Sequence, residues 1–328
     1  MNKIKSSVIL ILLFSGMVFP QMYLNDQPFA NTFSIVARDP VTGEIGAAVQ
    51  SHWFNVGALV IWGEAGVGVV ATQSFVNVSF GIRGLGLLKA GLSPKQVVDS
   101  LIGSDDGRDV RQLAVLDTKG NSAAYTGKNC VADAGHLNGE NYSVQANLMI
   151  SNKVWPAMEK AFKESKGPLA ERLIAVLEAA QKEGGDIRGK QSAAILVFKG
   201  TSTGKPWEDK LIDLRVDDNP QPIPELKRLL KVLRAYDHMN NGDLAVEKGD
   251  MQKAMIEYST AEKMFPDNEE MKFWHAVTLI NKDKKEDGYK ILKEVFRMNK
   301  NYRTLIPRII KAGLLNISPD EEQKIMKL

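Results

Sequence analysis

The sequence is poor in the residues that bind metals and form covalent cross-links. Its 328 residues include one cysteine, Cys130, and four histidines, His52, His136, His238 and His275. A single cysteine excludes an intrachain disulfide, so the stability of the fold must come from burial of apolar side chains. No two histidines have the spacing of a helical zinc motif, and the sequence therefore predicts neither a metal nor another cofactor.

An excess of charge of either sign is also missing. The chain carries 42 Lys and Arg against 39 Asp and Glu. It has no basic run with interleaved aromatic residues, which argues against a nucleic-acid partner. The sequence contains neither a P-loop nor the GxSxG elbow of α/β-hydrolases, so those two classes of mechanism have no motif here.

One apolar run stands near the N-terminus. Residues 7–19 follow a short basic segment and are too few to cross a bilayer, which needs about 20 residues. This pattern predicts a signal peptide over residues 1–21 and an exported protein, periplasmic or secreted. An uncleaved N-terminal segment that tethers the protein to the membrane is the alternative. Residues 22–31 lie between the predicted signal peptide and Thr32 and are a candidate propeptide.

Residues 31–51 predict a β-hairpin whose first strand begins on a threonine. Thr32 and Ser34 alternate with apolar residues, so the strand over residues 32–38 is expected to be half-buried, with its hydroxyls on one face. Residues 39–43 contain the proline and glycine that a turn favours, and the chain then runs back.

A chain that began at Thr32 would carry a free α-amine beside a hydroxyl. Such an amine titrates at about 7.7–8.0 and can act as the base for its own side chain. Attack of the Thr32 hydroxyl on the Asn31 carbonyl would create this terminus. Cleavage after Ala30, or no cleavage, would leave Thr32 without a free amine. The residues alone favour the simpler interpretation, in which Thr32 and Ser34 line the polar face of a strand.

The chain contains several segments that occur together in one family. They are residues 32–39, 43–49, 64–68, 71–73, 135–136, Tyr142, 145–149 and 184–194. Together they resemble a bacterial and archaeal family called domain of unknown function 1028. The resemblance covers about residues 32–230 and implies an α+β fold similar to N-terminal-nucleophile hydrolases, a four-layer αββα sandwich with amide or peptide hydrolase ancestry. Ala146 departs from the family pattern, which has glycine there.

An amide hydrolase needs a nucleophile, a base and donors for the oxyanion. Thr32 is expected to be nucleophile and base, with Asp39 as a charged group that tunes the base and Ser34 as a weaker alternative nucleophile. The candidates for contacts to substrate or oxyanion are polar residues near strand ends: Ser51, Gln73, Asn77, Asn147, Asp186, Arg188 and Gln191. Each of these could instead cap a helix or stabilise a turn.

The composition changes after the proline-containing segment 218–224. In the helix-favouring remainder, a 34-residue offset aligns Ala254 with Gly288, Tyr258 with Leu292, and Ala261 with Val295. This period resembles a tetratricopeptide repeat and predicts an all-α domain with two repeats and a further helical pair. Its concave face would bind a protein partner. Helices that only cover the preceding domain are the alternative.

The sequence thus predicts an exported protein with five segments. They are a signal peptide (1–21), a candidate propeptide (22–31), a hydrolase-like domain (32–217), a linker (218–224) and a tetratricopeptide-like domain (225–328). The leading hypothesis is an amide hydrolase that acts on a peptide, an acyl amide or a cell-wall fragment. The alternative is a non-catalytic module that binds a ligand or partner on the same fold.

Overall fold

The structure, a computed structural model, describes residues 29–328. The predicted signal peptide and residues 22–28 lie outside the described residues. The chain has a mixed α+β fold and divides into two compact units between Ile223 and Pro224. The first unit contains two antiparallel sheets with helices, and the second is helical, which confirms the predicted α+β class and the helical C-terminal region. Within residues 29–328, no helix combines the length and apolarity needed to cross a bilayer.

Sheet A contains five of the described strands. They are β1 (Phe29–Ala30), β4 (Ile61–Glu64), β5 (Gly68–Phe75), β6 (Arg111–Asp117) and β7 (Ser122–Thr126). The order is β1-β5-β6-β7, and β4 also pairs with β5. Because β6 occupies one edge of β5, the short strands β1 and β4 share the other edge.

Sheet B contains six strands of the described chain. They are β2 (Thr32–Arg38), β3 (Ile45–Ser51), β8 (Gly135–Gly139), β9 (Tyr142–Ala146), β10 (Ser192–Phe198) and β11 (Lys210–Val216). Their order is β11-β10-β3-β2-β9-β8. The predicted hairpin is confirmed, since β2 and β3 pair from Thr32 opposite Ser51 to Arg38 opposite Ile45.

Helices cover the outer faces of both sheets. The helices of this unit are α1 (Ser79–Lys89), α2 (Pro94–Gly103), α3 (Val154–Glu164), α4 (Leu169–Lys182) and the short α5 (Pro206–Asp209). The pair α1 and α2 packs on sheet A, and the pair α3 and α4 packs on sheet B. The inner faces of the sheets meet in a core of small and branched residues that includes Val36, Val49, Ala71 and Ala114.

The first strand of the hairpin differs from its prediction in burial. Every residue from Thr32 to Ala37 is buried, so β2 is covered on both faces and is not half-buried. The reason is tertiary, because sheet A covers one face of β2 and α4 packs on the other. Buried hydroxyls on this strand need hydrogen-bond partners inside the protein.

Local signals in the sequence also predict the start of a helix. Ser93 before Pro94 is typical of a helix N-cap, and Ser93 does cap α2, with Gln96 completing a capping box. The apolar run over residues 58–62 predicts a strand, which is observed later, at Ile61–Glu64, because residues 56–58 form a 3-10 turn. Strand β8 was missed because GHLNG lacks apolar alternation, and its pairing with β9 defines it.

The second unit is built from consecutive helices. They are α6 (Pro222–Glu247), α7 (Met251–Met264), α8 (Glu269–Asn281), α9 (Lys285–Met298), α10 (Asn301–Lys311) and α11 (Pro319–Met326). Helix α6 begins at Pro222, so residues 222–224 of the predicted linker are helical. Proline fits this first turn because its missing N–H would have no intrahelical acceptor.

The predicted repeat positions lie on the buried faces of α7 and α9. Ala254, Tyr258 and Ala261 are buried on α7, and Gly288, Leu292 and Val295 are buried on α9. A Cβ atom at Gly288 would lie 2.8 Å from the carbonyl oxygen of Ala276 on α8. Glycine therefore allows α8 and α9 to approach closely.

Candidate functional site

The Asn31–Thr32 peptide bond lies where the chain passes from sheet A to sheet B. Before it, Ala30 pairs with Ser74 of β5, and after it, Thr32 pairs with Ser51 of β3. Asn31 and Thr32 are both fully buried. The two sides of this bond are therefore fixed by different sheets.

The carbonyl oxygen of Asn31 accepts two side-chain hydrogen bonds. One comes from the hydroxyl of Ser51, and the other comes from Nη2 of Arg188 at 2.9 Å. Two donors that converge on one carbonyl oxygen form the arrangement that stabilises an oxyanion in acyl transfer. The guanidinium adds a positive charge to this pair of donors.

Asp186 orients the Arg188 side chain. Its carboxylate accepts from Arg188 Nε at 3.0 Å and from Nη2 at 2.7 Å, a bidentate geometry. The same carboxylate accepts from the backbone N–H of His52 at 3.2 Å, and the Asp186 side chain is fully buried. Arg188 is thus positioned by a group that is itself held in place.

The glycine-rich segment before Arg188 has a geometric role. Gly184 and Gly189 adopt φ values of 104° and 115°, which L side chains rarely tolerate. Between these glycines, two backbone hydrogen bonds join the segment to residues 148–150. The Ile150 N–H donates to the Gly185 carbonyl at 2.9 Å, and the Ile187 N–H donates to the Leu148 carbonyl at 3.2 Å. This folded loop brings Arg188 to the Asn31 carbonyl.

Thr32 is held at its hydroxyl and at its carbonyl. The hydroxyl donates to the carbonyl oxygen of Ala30 at 2.7 Å. The Thr32 carbonyl accepts from the Asn147 backbone N–H at 3.0 Å and from Gln73 Nε2 at 3.2 Å. These contacts fix the start of β2 against both sheets.

A network of buried amides lies beside Thr32 between the sheets. Ser34 donates to Gln73 Oε1 at 2.6 Å and accepts from Gln145 Nε2 at 2.6 Å. Gln112 Oε1 accepts from Gln73 Nε2 at 2.6 Å and from Asn147 Nδ2 at 2.9 Å. All five residues are fully buried. Because the Ser34 hydroxyl donates to an amide oxygen, these contacts provide no base that would activate it.

The network continues to a histidine. Gln112 Nε2 donates to the Thr126 hydroxyl at 2.8 Å, and that hydroxyl lies 2.8 Å from Nδ1 of His136. Burial lowers the pKa of His136. Since Thr126 accepts from Gln112, it can donate to Nδ1, which fits a neutral ring with its proton on Nε2.

Strained backbone flanks the groups that hold Thr32. Ser74 and Leu148 have φ values of 72° and 58°, and they directly follow Gln73 and Asn147. Such conformations cost a non-glycine residue about 1–3 kcal/mol and persist only where the surrounding structure enforces them. Strain of this kind is concentrated at functional sites.

The structure does not bring Asp39 to Thr32. Asp39 follows the opposite end of β2, about 20 Å away at the rise of a strand. Its Oδ1 accepts from the N–H groups of Val41 and Thr42 at 2.8 and 3.1 Å, and its Oδ2 lies 3.4 Å from Arg172. Asp39 therefore stabilises the hairpin turn, and the predicted role in tuning the amine has no geometric support.

Two further candidates hold local structure, one of them at the start of a helix. Asn77 Oδ1 accepts from the N–H and the hydroxyl of Ser79 at the start of α1, at 3.2 and 2.7 Å. Gln191 Nε2 donates to Asp218 at 3.0 Å. Neither side chain joins the group around the Asn31 carbonyl.

The remaining groups with possible chemistry are metal-binding clusters and the thiol of Cys130. In the part of the chain from Phe29 onward, no group of three or more His, Cys, Asp or Glu is arranged to hold a metal ion. Burial raises the pKa of the Cys130 thiol, and its Sγ lies 3.3 Å from the Arg111 carbonyl oxygen. The thiol is therefore protonated at neutral pH.

Sequence reasoning missed the Asn31 carbonyl as an acceptor and the amides of Gln112 and Gln145. A glutamine inside an otherwise apolar strand was the available signal, because a buried amide must be paired. Ala146, the departure from the family pattern, pairs in regular register with Phe33 and Gly135.

The fold and site define a two-sheet α+β domain with a buried threonine at the head of a central strand. The chain belongs to the family of unknown function DUF1028, whose model matches residues 32–226. A similar solved structure is the crystal structure of a Silicibacter pomeroyi protein assigned to the same family. The two sequences are 34% identical, and the match covers 61% of this chain and 88% of the Silicibacter pomeroyi chain, with a TM-score of 0.55. No curated protein matches the chain.

Proposed function

We propose that the protein is an exported amide hydrolase of the N-terminal-nucleophile type. Thr32 is the nucleophile and the base after cleavage of the Asn31–Thr32 bond, and the substrate is a peptide, an acyl amide or a cell-wall fragment. One observation carries this proposal. The carbonyl that the Thr32 hydroxyl would attack accepts hydrogen bonds from Ser51 and Arg188.

The architecture supports the same class. A helix pair, sheet A, sheet B and a second helix pair pack in succession, which is the order of a four-layer αββα sandwich. The family match begins at Thr32, the residue that would become the N-terminus. The proposed new terminus therefore coincides with the start of the shared domain.

The processing step uses groups that already contact the bond. Thr32 Oγ1 attacks the Asn31 carbonyl carbon, and the charge that develops on the oxygen is stabilised by Ser51 and Arg188. The C–N bond then breaks, and the hydroxyl proton passes to the Thr32 nitrogen. Water hydrolyses the resulting ester, which releases Asn31 as a carboxylate and leaves Thr32 with its hydroxyl and a free amine.

Turnover repeats this chemistry on a substrate amide. The neutral α-amine takes the proton of Oγ1 as the hydroxyl attacks, and it returns the proton to the leaving nitrogen. Ser51 and Arg188 stabilise the second oxyanion because the substrate carbonyl replaces that of Asn31. Water activated by the same amine then releases the acyl group from Thr32.

The test is a processing time course on purified chain that begins at Met22. We expect the wild type to lose residues 22–31 and to begin at Thr32, by intact mass and N-terminal sequencing. Thr32→Ser should be processed and Thr32→Ala should not. Arg188→Gln should slow cleavage by about 10²-fold, the usual effect of removing one oxyanion donor. Arg83→Gln, at an exposed arginine, is the matched control.

The outcomes separate the alternatives. A folded wild type that keeps Asn31 joined to Thr32 would rule out the nucleophile and favour a non-catalytic module that binds a ligand. An N-terminus at Asn31 in protein exported by its own host would instead indicate cleavage by a signal peptidase, and Thr32 would then lack its amine.

The helical unit is proposed to be a tetratricopeptide-like surface for a protein partner. The burial of the residues aligned by the 34-residue offset supports this assignment. A cavity of about 500 Å³ within this unit is lined by Glu270, Trp274, Asn299, Tyr302 and Arg308, among others. Aromatic, amide and guanidinium groups together suit the side chains and backbone of a peptide.

A further inference from the structure

The segment before Thr32 covers one stretch of the β5 edge. Strand β1 pairs antiparallel with β5, with Phe29 opposite Phe75 and Ala30 opposite Ser74. Strand β4 occupies the earlier part of the same edge, up to Ala71. Once the Asn31–Thr32 bond is cut, β1 is no longer covalently attached to the domain. Its departure would leave backbone groups of Ser74 and Phe75 unpaired and able to accept another strand.

We propose that the substrate is an extended peptide that binds in the place of β1, antiparallel to the end of β5. Its acyl residue lies where Asn31 lies, so that its carbonyl meets Ser51 and Arg188. This inference rests on the proposed function and narrows its substrate class from amides in general to peptides with a chain on the acyl side of the cut.

The position of Ala30 sets a size limit on the ligand. Ala30 is fully buried and belongs to the apolar cluster that contains Val60, Ala71 and Val76. A larger side chain would have to displace well-packed neighbours. The residue before the acyl residue must therefore be small and apolar.

The position of Asn31 is enclosed. Its side chain is fully buried, and among the described residues neither its Oδ1 nor its Nδ2 has a hydrogen-bond partner. Because the Asn31 side chain fills this position before cleavage, the subsite accepts an acyl residue no larger than asparagine without displacement of its neighbours.

Release of the leaving segment produces a ligand of this kind. Cleavage converts the Asn31 carbonyl into a carboxylate next to the Arg188 guanidinium, and this charged pair is stronger than the original hydrogen bond. A peptide that ends at Asn31 with a free carboxylate should therefore bind the processed protein as a product does.

The test measures binding of Pro-Phe-Ala-Asn, the sequence of residues 28–31, by isothermal titration calorimetry. The protein is processed wild type whose mass shows a Thr32 N-terminus. We expect the free carboxylate to bind at least about tenfold more tightly than the C-terminal amide, since a charged hydrogen bond is lost. Two modified peptides should bind at least about tenfold more weakly. One has leucine in place of alanine, and the other has N-methyl groups on both Phe and Ala.

The unprocessed Thr32→Ala chain is the matched control. Its own β1 still fills the site, so it should bind none of the peptides. Native mass spectrometry that finds residues 22–31 retained on processed protein would also support the proposal, provided that added Pro-Phe-Ala-Asn displaces them. The proposal would be overturned if the processed protein bound all four peptides equally. It would also be overturned if the processed protein bound none of them and retained no cleaved segment. In that case the proposed hydrolase would stand, because processing itself is read separately by mass.

Discussion

Gln112 connects the two sheets through a single side chain. Its Oε1 accepts from Gln73 and Asn147, and its Nε2 donates to Thr126 and to the carbonyl of Ala146 at 2.9 Å. Gln73 and Asn147 in turn hold the Thr32 carbonyl. A substitution here should therefore affect both stability and the position of Thr32.

We predict that Gln112→Leu destabilises the first unit by roughly 2–4 kcal/mol, because two buried amide donors lose their acceptor. Chemical denaturation monitored by fluorescence would measure the loss. Gln191→Leu, at a glutamine whose hydrogen bond is exposed, should change the free energy of unfolding by less than about 0.5 kcal/mol. Equal losses in the two variants would contradict a special role for the buried network.

At the scale of elements, a buried ion pair joins the end of β5 to the loop after α2. Arg111 donates to the Phe75 carbonyl at 2.6 Å and to the Asp105 carboxylate at 2.7 Å. Burial opposes ionisation of Asp105, but hydrogen bonds from Arg111 and the Gly107 N–H outweigh it and hold the pKa of Asp105 below its ordinary value. The pair thus supports the part of β5 that carries β1.

This lowered pKa gives the pair a defined pH dependence. The stabilisation is fully present above the unfolded-state pKa, about 3.9, and is lost as the pH falls through the lower folded-state pKa. We expect Asp105→Asn to cost roughly 2–4 kcal/mol at pH 7, where it leaves Arg111 unpaired. Between pH 5 and about 2.5, the free energy of unfolding of the Asp105→Asn variant should fall less than that of the wild type.

Denaturant titrations across this pH range would measure both effects. Asp99→Asn, in an exposed pair with Lys95, is the control and should change stability by less than about 1 kcal/mol at any of these pH values. Parallel pH profiles for Asp105→Asn and the wild type would show that Asp105 carries none of the acid sensitivity.

At the scale of the whole molecule, the chain places its two predicted activities in separate compact units. The candidate cleavage site belongs to the first unit, and the candidate partner surface belongs to the second. A change that loosens the helical unit should therefore leave self-processing unaffected.

Gly288→Ala tests this separation. Its Cβ would lie 2.5 Å from Cγ1 of Ile280 and 2.8 Å from the Ala276 carbonyl, so we expect a loss of roughly 1–3 kcal/mol in the second unit. Hydrogen exchange by mass spectrometry would locate the loss in α8 and α9. Gly86→Ala, on α1 with nothing within 4 Å of the new Cβ, should be neutral or slightly stabilising. Slower cleavage at Thr32 in Gly288→Ala would show that the units depend on each other.

The sequence by itself determined the local structure. Alternation of polar and apolar residues placed β2, proline and glycine placed the turn that leads back to β3, and Ser93 and Pro94 placed the start of α2. These features depend on neighbours a few residues apart, so a single sequence contains their cause. The same reasoning found Thr32 at the head of its strand.

Only the tertiary structure decided which groups surround that threonine. Ser51 and Arg188 meet the Asn31 carbonyl from positions 20 and 157 residues further along the chain. Sheet order and the fold of a glycine-rich loop bring them together, and neither is a local property. The same long-range packing buries both faces of β2, because layer contacts are set by the whole domain. The distance of Asp39 from Thr32, in contrast, follows from the length of the strand alone.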